Sequence, residues 1–226
     1  NRILANFATV VCLGFPNNLA YKKSNVVGNP IRDEIAAISQ FPIEAIEDRK
    51  IRILVVGGSL GAMVFNETLP AIFARYENIE VKHQTGRGNR EKTLKLYEEL
   101  KCTDRVEVLE FIDDMADAYT WADIVICRAG ALTVAEIAAA HKMAIFVPLP
   151  SAVDDHQTKN AQSLVQADAA VLVAQKDFNE QNLCSILDKY IADPALITEM
   201  SRNARDVAIL DATEKVANYC QKLAEK

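Results

Sequence analysis

The sequence is poor in the residues and spacings that build metal and redox centres. Its three histidines, His83, His141 and His156, stand far apart, and none of its five cysteines falls in a C-x-x-C pair. A structural metal needs clustered ligands of these types, so no metal is expected. The cysteines, Cys12, Cys102, Cys127, Cys184 and Cys220, are scattered and odd in number, which predicts reduced, buried thiols in a cytosolic protein. Positive charge is also short: 25 Lys and Arg against 31 Asp and Glu leave a net charge of −6. General binding to polyphosphate backbones starts from that handicap, so nucleic acid is not an expected partner.

Long apolar runs are missing too. Ile3 to Phe15 is uncharged, but it contains Asn6 and Thr9 and meets Pro16 instead of a small-residue cleavage site. It is well short of the ~20 residues that span a bilayer, and it reads as a buried helix and strand. Repeats and low-complexity tracts are absent. Two common phosphate-binding signatures are absent as well: no glycine loop continues into G-K-[ST], and no G-x-G-x-x-G precedes an acidic residue about 20 positions on. The second strand candidate ends in His83, Gln84 and Thr85, where nothing is poised to hold a dinucleotide ribose.

What is present is a different glycine turn. Residues 57 to 62 read GGSLGA, directly after the apolar run Ile51 to Val56 and directly before a helical stretch. Glycines let a backbone turn sharply and approach a ligand, while the next helix offers free N–H groups and the positive end of its dipole to an anion. The chain is therefore expected to handle a phosphorylated small molecule.

At 226 residues, 50% of them hydrophobic, the chain suits one full domain plus part of a second. It opens in Asn1, Arg2, Ile3, Leu4, as though partway along an element, which predicts a piece of a longer protein. Residues 1–27 read as the tail of a preceding domain and the start of a linker, 28–50 as the linker, and 51–226 as the main domain. From Ile51 onward, strand candidates (51–56, 80–85, 106–111, 124–127, 144–147 and 170–174) alternate with helical stretches. The helices are expected at 62–76 with a break near Pro70, 90–101, 115–122, 133–141 and 157–167. Three more follow at 179–192, 194–207 and 212–225, the last opened by a capping-box spacing of Asp211 and Glu214. Such alternation implies βαβ units and an α/β fold with a Rossmann-like parallel sheet covered on both faces. Ligands of such sheets bind beyond the carboxyl ends of the strands, where GGS, HQTG, FIDDM, CRAGALT and VPLPSAVDDHQTKN would line one rim.

The ordered set GNPIR (28–32), GGSLGA (57–62), HQTG (83–86), FIDDM (111–115), RAGALTVAEIAAA (128–140) and DDHQTKNA (154–161) closely resembles the C-terminal half of the bacterial peptidoglycan glycosyltransferases that make lipid II. The resemblance runs almost the whole length of the chain. It implies the C-terminal donor-binding domain of a GT-B glycosyltransferase, with N-acetylglucosamine passing from UDP-N-acetylglucosamine to lipid I, no cofactor and no metal. It also implies that the acceptor site and the base lie in a missing N-terminal domain, and that the full-length protein is peripheral on the cytoplasmic face of the bacterial inner membrane. A non-catalytic nucleotide-sugar-binding module and a GT-B UDP-N-acetylglucosamine epimerase remain as alternatives.

Residue by residue, the resemblance puts the donor pyrophosphate near Gly58 and Ser59; Ser59 as a helix cap is the plain alternative. Arg32 is carried to the donor site, where a guanidinium offsets the charge of departing UDP, against a solvated arginine. Ile112 maps to a backbone contact with the uracil edge, while Asp113 and Asp114 read as caps of the following helix. Ala131, Leu132, Thr133, Val134, Ala135 and Glu136 wrap the nucleotide, with Glu136 accepting from the ribose diol. Thr133 and Glu136 also have the spacing of a capping box, so both readings stand. Gln157 maps to the donor sugar, whereas His156 is read as orienting its loop and His83 as a hydrogen-bonded rim residue.

Overall fold

The computed structural model describes residues 2–16, 23–150 and 155–225. Residues 17–22 of the stretch read as a domain tail and linker start, residues 151–153 of the expected rim and Asp154 of the DDHQTKNA motif lie outside them. A short helix α1 (Arg2–Phe7) leads into β1 (Val11–Leu13), which pairs in parallel with β2 (Ser24–Val26). Then come α2 (Asp33–Ala36) and a 3-10 turn at Ala37–Gln40. Ile35 and Ile38 of this segment are buried in the main core, so the stretch between the two sheets is packed down.

The main body alternates strand and helix: β3 (Ile51–Val56), α3 (Met63–Phe73), β4 (Ile79–Gln84), α4 (Arg90–Glu99), β5 (Val106–Leu109), α5 (Met115–Trp121), β6 (Ile124–Cys127), α6 (Ala131–Ala139), β7 (Met143–Phe146), α7 (His156–Val165) and β8 (Ala170–Leu172). Helices α8 (Glu180–Ala192), α9 (Ala195–Asp206) and α10 (Ala212–Ala224) follow. The sheet is parallel throughout in the order β5-β4-β3-β6-β7-β8. This is the 3-2-1-4-5-6 order of dinucleotide-binding folds, with its reversal between β3 and β6.

Side chains alternate across the sheet with the period of a strand. Ile51, Ile53 and Val55 of β3 face one apolar layer with Ile124, Ile126, Met143 and Ile145, under α3, α8 and α9. Leu54, Val125, Cys127, Ala144 and Phe146 face the other, under α5, α6 and α7. Among the described residues, no helix is long and apolar enough to cross a membrane.

Several local expectations need correction. Pro70 does not break α3; it sits in the last turn, and the helix runs on to Phe73. The lost N–H there costs one bond near an end that frays in any case. Helix α10 does start after Asp211, but the carboxylate makes no cap bond and pairs instead with Lys215 at 2.8 Å. Cys102, Cys127 and Cys184 are buried, yet Cys12 and Cys220 are exposed.

His83 is not on the rim. It is fully buried on β4, with Nδ1 2.9 Å from the Tyr97 hydroxyl of α4 and Nε2 3.1 Å from Oδ1 of Asn66 on α3. Asn66 Nδ2 donates to the Thr85 carbonyl at 3.0 Å. The Asn66 oxygen must then accept from Nε2–H, which leaves Nδ1 to accept from Tyr97. One neutral tautomer satisfies every partner, and burial lowers the pKa to about 3.

The glycine turn is fixed from the same side. Gln84 accepts from Gly58 N–H at 3.0 Å and donates to the carbonyls of Gly58 at 3.0 Å and Glu110 at 2.9 Å. Gly61 and Gly86 both have positive φ and bring their backbones together, and a Cβ on Gly61 would strike the Thr85 carbonyl. Gly58 also has positive φ, but its missing Cβ faces open space.

The two glycines should therefore respond differently. Gly58→Ala adds only the left-handed backbone cost, about 1–2 kcal/mol, and should lower Tm by roughly 2–8 °C for a chain of this size. Gly61→Ala adds a further collision of about 1–3 kcal/mol and should lower Tm distinctly more. Equal shifts by calorimetry would remove close backbone approach as the reason for Gly61.

His83 gives a pH signature. Its folded pKa lies below the unfolded value, so the unfolded chain binds more protons between about 3 and about 6.5. The stability it contributes is present above that window and is lost as pH falls through it. Going from pH 7 to 5 should cost roughly 2 kcal/mol through this residue. In urea unfolding, His83→Gln should show a pH dependence shallower by that amount; an unchanged slope would contradict the assignment.

Candidate functional site

The crevice lies where the winding reverses, beyond the carboxyl ends of β3 and β6. From β3 comes the turn 57–62, with Gly58, Ser59 and Leu60 exposed. Ser59 does not cap α3: the helix begins after Ala62, which makes no side-chain cap, and the Ser59 carbonyl accepts from Arg87 N–H at 3.1 Å. From β6 comes Arg128-Ala129-Gly130, and α6 starts directly after Gly130, again with no side-chain cap. Two helix N-termini thus meet the crevice with first-turn N–H groups that no side chain of their caps occupies, an arrangement suited to an anion.

The early start of α6 removes the capping-box reading of Thr133 and Glu136. Thr133 is inside the first turn and Glu136 inside the second, so no capping box forms. The Glu136 carboxylate instead takes Arg32 Nη2 at 3.3 Å and the Tyr119 hydroxyl at 3.3 Å. Both contacts are long for bonds to a charged group, so the carboxylate is held but not saturated. Its side chain is 15% exposed and that of Arg32 46%. Burial, with the neighbouring Glu136 carboxylate, holds the Tyr119 phenol well above its usual range. Arg32 stands in extended conformation just before α2 and also lies 3.7 Å from Glu34.

The remaining predicted residues lie between β5 and α5, on α6 and on α7. Ile112 is half-buried between β5 and α5 and packs against the core layer under α5 and α6. Asp114 caps α5 by accepting from Asp117 N–H at 2.8 Å. On α6, Ala131 and Thr133 are half-buried and Leu132 is exposed. Val134 is buried and its N–H is bonded to the Gly130 carbonyl at 2.9 Å, so it supplies packing. Ala135 lines a cavity of about 570 Å³ behind α6, together with Gly28 and Asn29. Gln157 accepts from Leu149 N–H at 2.9 Å, which ties α7 to the loop after β7. Its neighbour His156 is exposed at the start of α7.

Four residues at this edge escaped sequence reading: Gln84, Tyr119, Arg128 and Asn160. Arg128 donates to the Val147 carbonyl at 2.9 Å and to Gln175 Oε1 at 2.7 Å, and stacks 5.0 Å from the Phe65 ring centroid. Desolvation lowers its pKa. Asn160 donates to the Ala129 carbonyl at 3.1 Å. Together they anchor the turn after β6 from both sides. Gln84, Arg128 and Asn160 lay inside motifs that could have flagged them, and Tyr119 did not.

The edge is open on one side. Leu60 (84%), Phe111 (63%) and Leu132 (57%) stand exposed around it. Among the described residues no cluster of His, Cys, Asp and Glu could hold a metal ion.

Comparison with known proteins matches this arrangement. The profile of the glycosyltransferase family 28 C-terminal domain fits residues 52–220. The UDP-N-acetylglucosamine–N-acetylmuramyl-(pentapeptide) pyrophosphoryl-undecaprenol N-acetylglucosamine transferase of Pseudoalteromonas translucida is 51% identical across 100% of this chain and 63% of its own length. The crystal structure of Acinetobacter baumannii MurG superposes with a TM-score of 0.82 at 38% identity, over 98% of this chain and 62% of that one. A UDP-GlcNAc 2-epimerase from Neisseria meningitidis, solved with UDP-GlcNAc, shares the fold alone: TM-score 0.55 and 15% identity, over 82% of this chain and 48% of that one. The chain spans less than two thirds of the length of the curated relatives it matches. With its GT-B, Rossmann-like parallel sheet, it belongs to glycosyltransferase family 28, whose C-terminal domain it contains.

Proposed function

We propose that this chain is the donor-binding part of an inverting, metal-independent glycosyltransferase that moves N-acetylglucosamine from UDP-N-acetylglucosamine to lipid I, forming lipid II. The observation that carries the reading is the crevice between β3 and β6. An open glycine turn and two helix N-termini without side-chain caps face it, and a part-buried carboxylate stands beside it. The 51% identity to a transferase of that name supports the substrates.

In this reading the diphosphate lies against Gly58 and Ser59 and the start of α6 at Ala131, Leu132 and Thr133. The N–H groups and helix dipoles there stabilise the charge that develops as UDP departs. Arg32 adds a guanidinium to the same charge. Glu136 exchanges Arg32 for the ribose diol, since an ionised carboxylate can accept from both hydroxyls at once. The backbone at Ile112 reads the uracil edge, and the Gln157 amide, able to donate and accept, meets the donor sugar. The acceptor hydroxyl and the general base belong to the part of the relatives that this chain does not span. The full-length protein would then sit peripherally on the cytoplasmic face of the inner membrane, where a lipid-linked acceptor is presented.

Two measurements test this. The chain should bind UDP and UDP-N-acetylglucosamine in preference to ADP and GDP; equal affinities by calorimetry would remove the role of the loop at Ile112. Glu136→Ala should weaken UDP binding by roughly tenfold to a hundredfold, as expected for hydrogen bonds to a charged group. The variant should also lose most of the wild-type preference for UDP over 2′-deoxy-UDP. A variant that keeps that preference would place the diol elsewhere.

A further inference from the structure

The opposite edge of the sheet carries a second pocket. It is a cavity of about 260 Å³, walled by Ile38, Phe41 and Ile46 of the segment before β3 and by α9. Its floor is built from the amino ends of three strands: Arg52 is the second residue of β3, Asp123 directly precedes β6 and Lys142 directly precedes β7. Six residues of β3 at about 3.3 Å each separate this floor from the glycine turn by ~20 Å, so the two sites are distinct.

Among the described residues, one cation here has no carboxylate within ion-pair distance. Asp123 is already saturated, taking both Arg49 Nη atoms at 2.7 and 2.8 Å and the Arg52 backbone N–H at 2.8 Å. That leaves Arg52 and Lys142. Arg52 approaches Glu80 only to 3.7 Å, and its Nε is buried without a hydrogen-bond partner. Lys142 donates to the Thr120 carbonyl at 3.3 Å, and among the described residues no carboxylate lies within ion-pair distance of it. Burial lowers its pKa to about 8.

Beside them His141 is 4% exposed, and its Nε2 has no partner either. It holds a left-handed backbone, φ 54°, in the turn that ends α6, where glycine would be cheaper. The hydroxyl residues Thr198 and Ser201 of α9 complete the lining, and the acid still to be counted, Glu44, is on the exposed segment before β3. Buried donors ordinarily have acceptors. A ligand that brings acceptors and negative charge satisfies Arg52 Nε, the Lys142 ammonium and, in its Nε2–H tautomer, His141 together.

We propose that this pocket is a binding site for a small oxyanion, a phosphoryl or carboxylate group held by Arg52, Lys142 and His141. The volume equals that of roughly eight or nine waters at ~30 Å³ each, which leaves room for a small organic portion behind the anionic group. The inference is independent of the donor site and of the reaction assigned to it.

The three histidines provide the readout, because each occupies a different place: His83 in the core, His141 in this pocket and His156 at the start of α7 on the far edge. Histidine side-chain NMR signals of the 226-residue chain would be followed during titration with sodium phosphate and, separately, sodium succinate. Sodium chloride at matched ionic strength is the control, and the titrations run with and without saturating UDP. A shift of the His141 signal with phosphate, succinate or both, unaffected by UDP and absent with chloride, is expected. Lys142→Met should weaken it by about tenfold or more. Arg52→Gln serves as the second variant, and an unchanged His83 signal certifies that either variant is folded. The proposal is overturned by a His141 signal that responds to chloride alone, by a response that survives both substitutions, or by a response confined to His156 and abolished by UDP.

Discussion

The architecture rests on one constraint, the handedness of the connection between parallel strands. A strand, a crossover helix and the next parallel strand join in the right-handed sense almost without exception. Beginning at β3, the chain winds outward through β4 to β5, then returns to the other side of β3 and winds outward again through β6, β7 and β8. Successive helices therefore cover opposite faces on the two sides of β3. At the carboxyl ends of β3 and β6 the connections diverge. The crevice is a consequence of connectivity before any side chain is considered. What the sequence adds is a pair of turns small enough to keep it open.

Those turns are stiff, and the stiffness comes from beneath. Gln84 uses its whole amide on the backbone of Gly58 and Glu110, so the turn after β3 is referenced to the turn after β5. Asn66 and His83, locked in one tautomer with Tyr97, hold α3 and α4 against β4 at the same level. Arg128 and Asn160 do the same for the turn after β6. An anion that meets N–H groups fixed in this way needs little reorganisation, which is the condition under which backbone dipoles stabilise charge well.

The sheet and its order of elements were legible because the strands are short, rich in β-branched residues and separated by turn signals, and because both faces of β3, β6 and β7 are buried, which makes their runs apolar apart from Arg52 near the start of β3. The start of α6 was not. Thr133 and Glu136 carry the local pattern of a cap, but tertiary packing extends the helix back to Ala131 and spends Glu136 on contacts from two other elements. Pro70 likewise signals a break that its position in a last turn makes unnecessary. Gln84, Tyr119 and the Arg52–Lys142 pocket depend on partners tens of residues away, and local patterns hold no record of such pairs. Charge composition is equally silent: a chain of net charge −6 still gathers Arg49, Arg52 and Lys142 at one edge of its sheet.

In the proposed reading, the Arg32–Glu136 pair keeps a carboxylate ready for use at the crevice. Breaking a buried pair is costly because it strands a charge, but Arg32 is half-exposed and its contact is long, so solvent screens it and little is lost when it lets go. Glu136 is the more buried partner and also holds the Tyr119 hydroxyl. The backbone on either side of the pair does not need to move: Ile35 and Ile38 anchor the segment that follows Arg32, and Ile137 and Ala138 anchor the helix that follows Glu136. In the proposed reading, exchange of partners at the carboxylate is thus a side-chain event on a fixed frame, with the guanidinium released toward the diphosphate and the carboxylate left for the ribose diol.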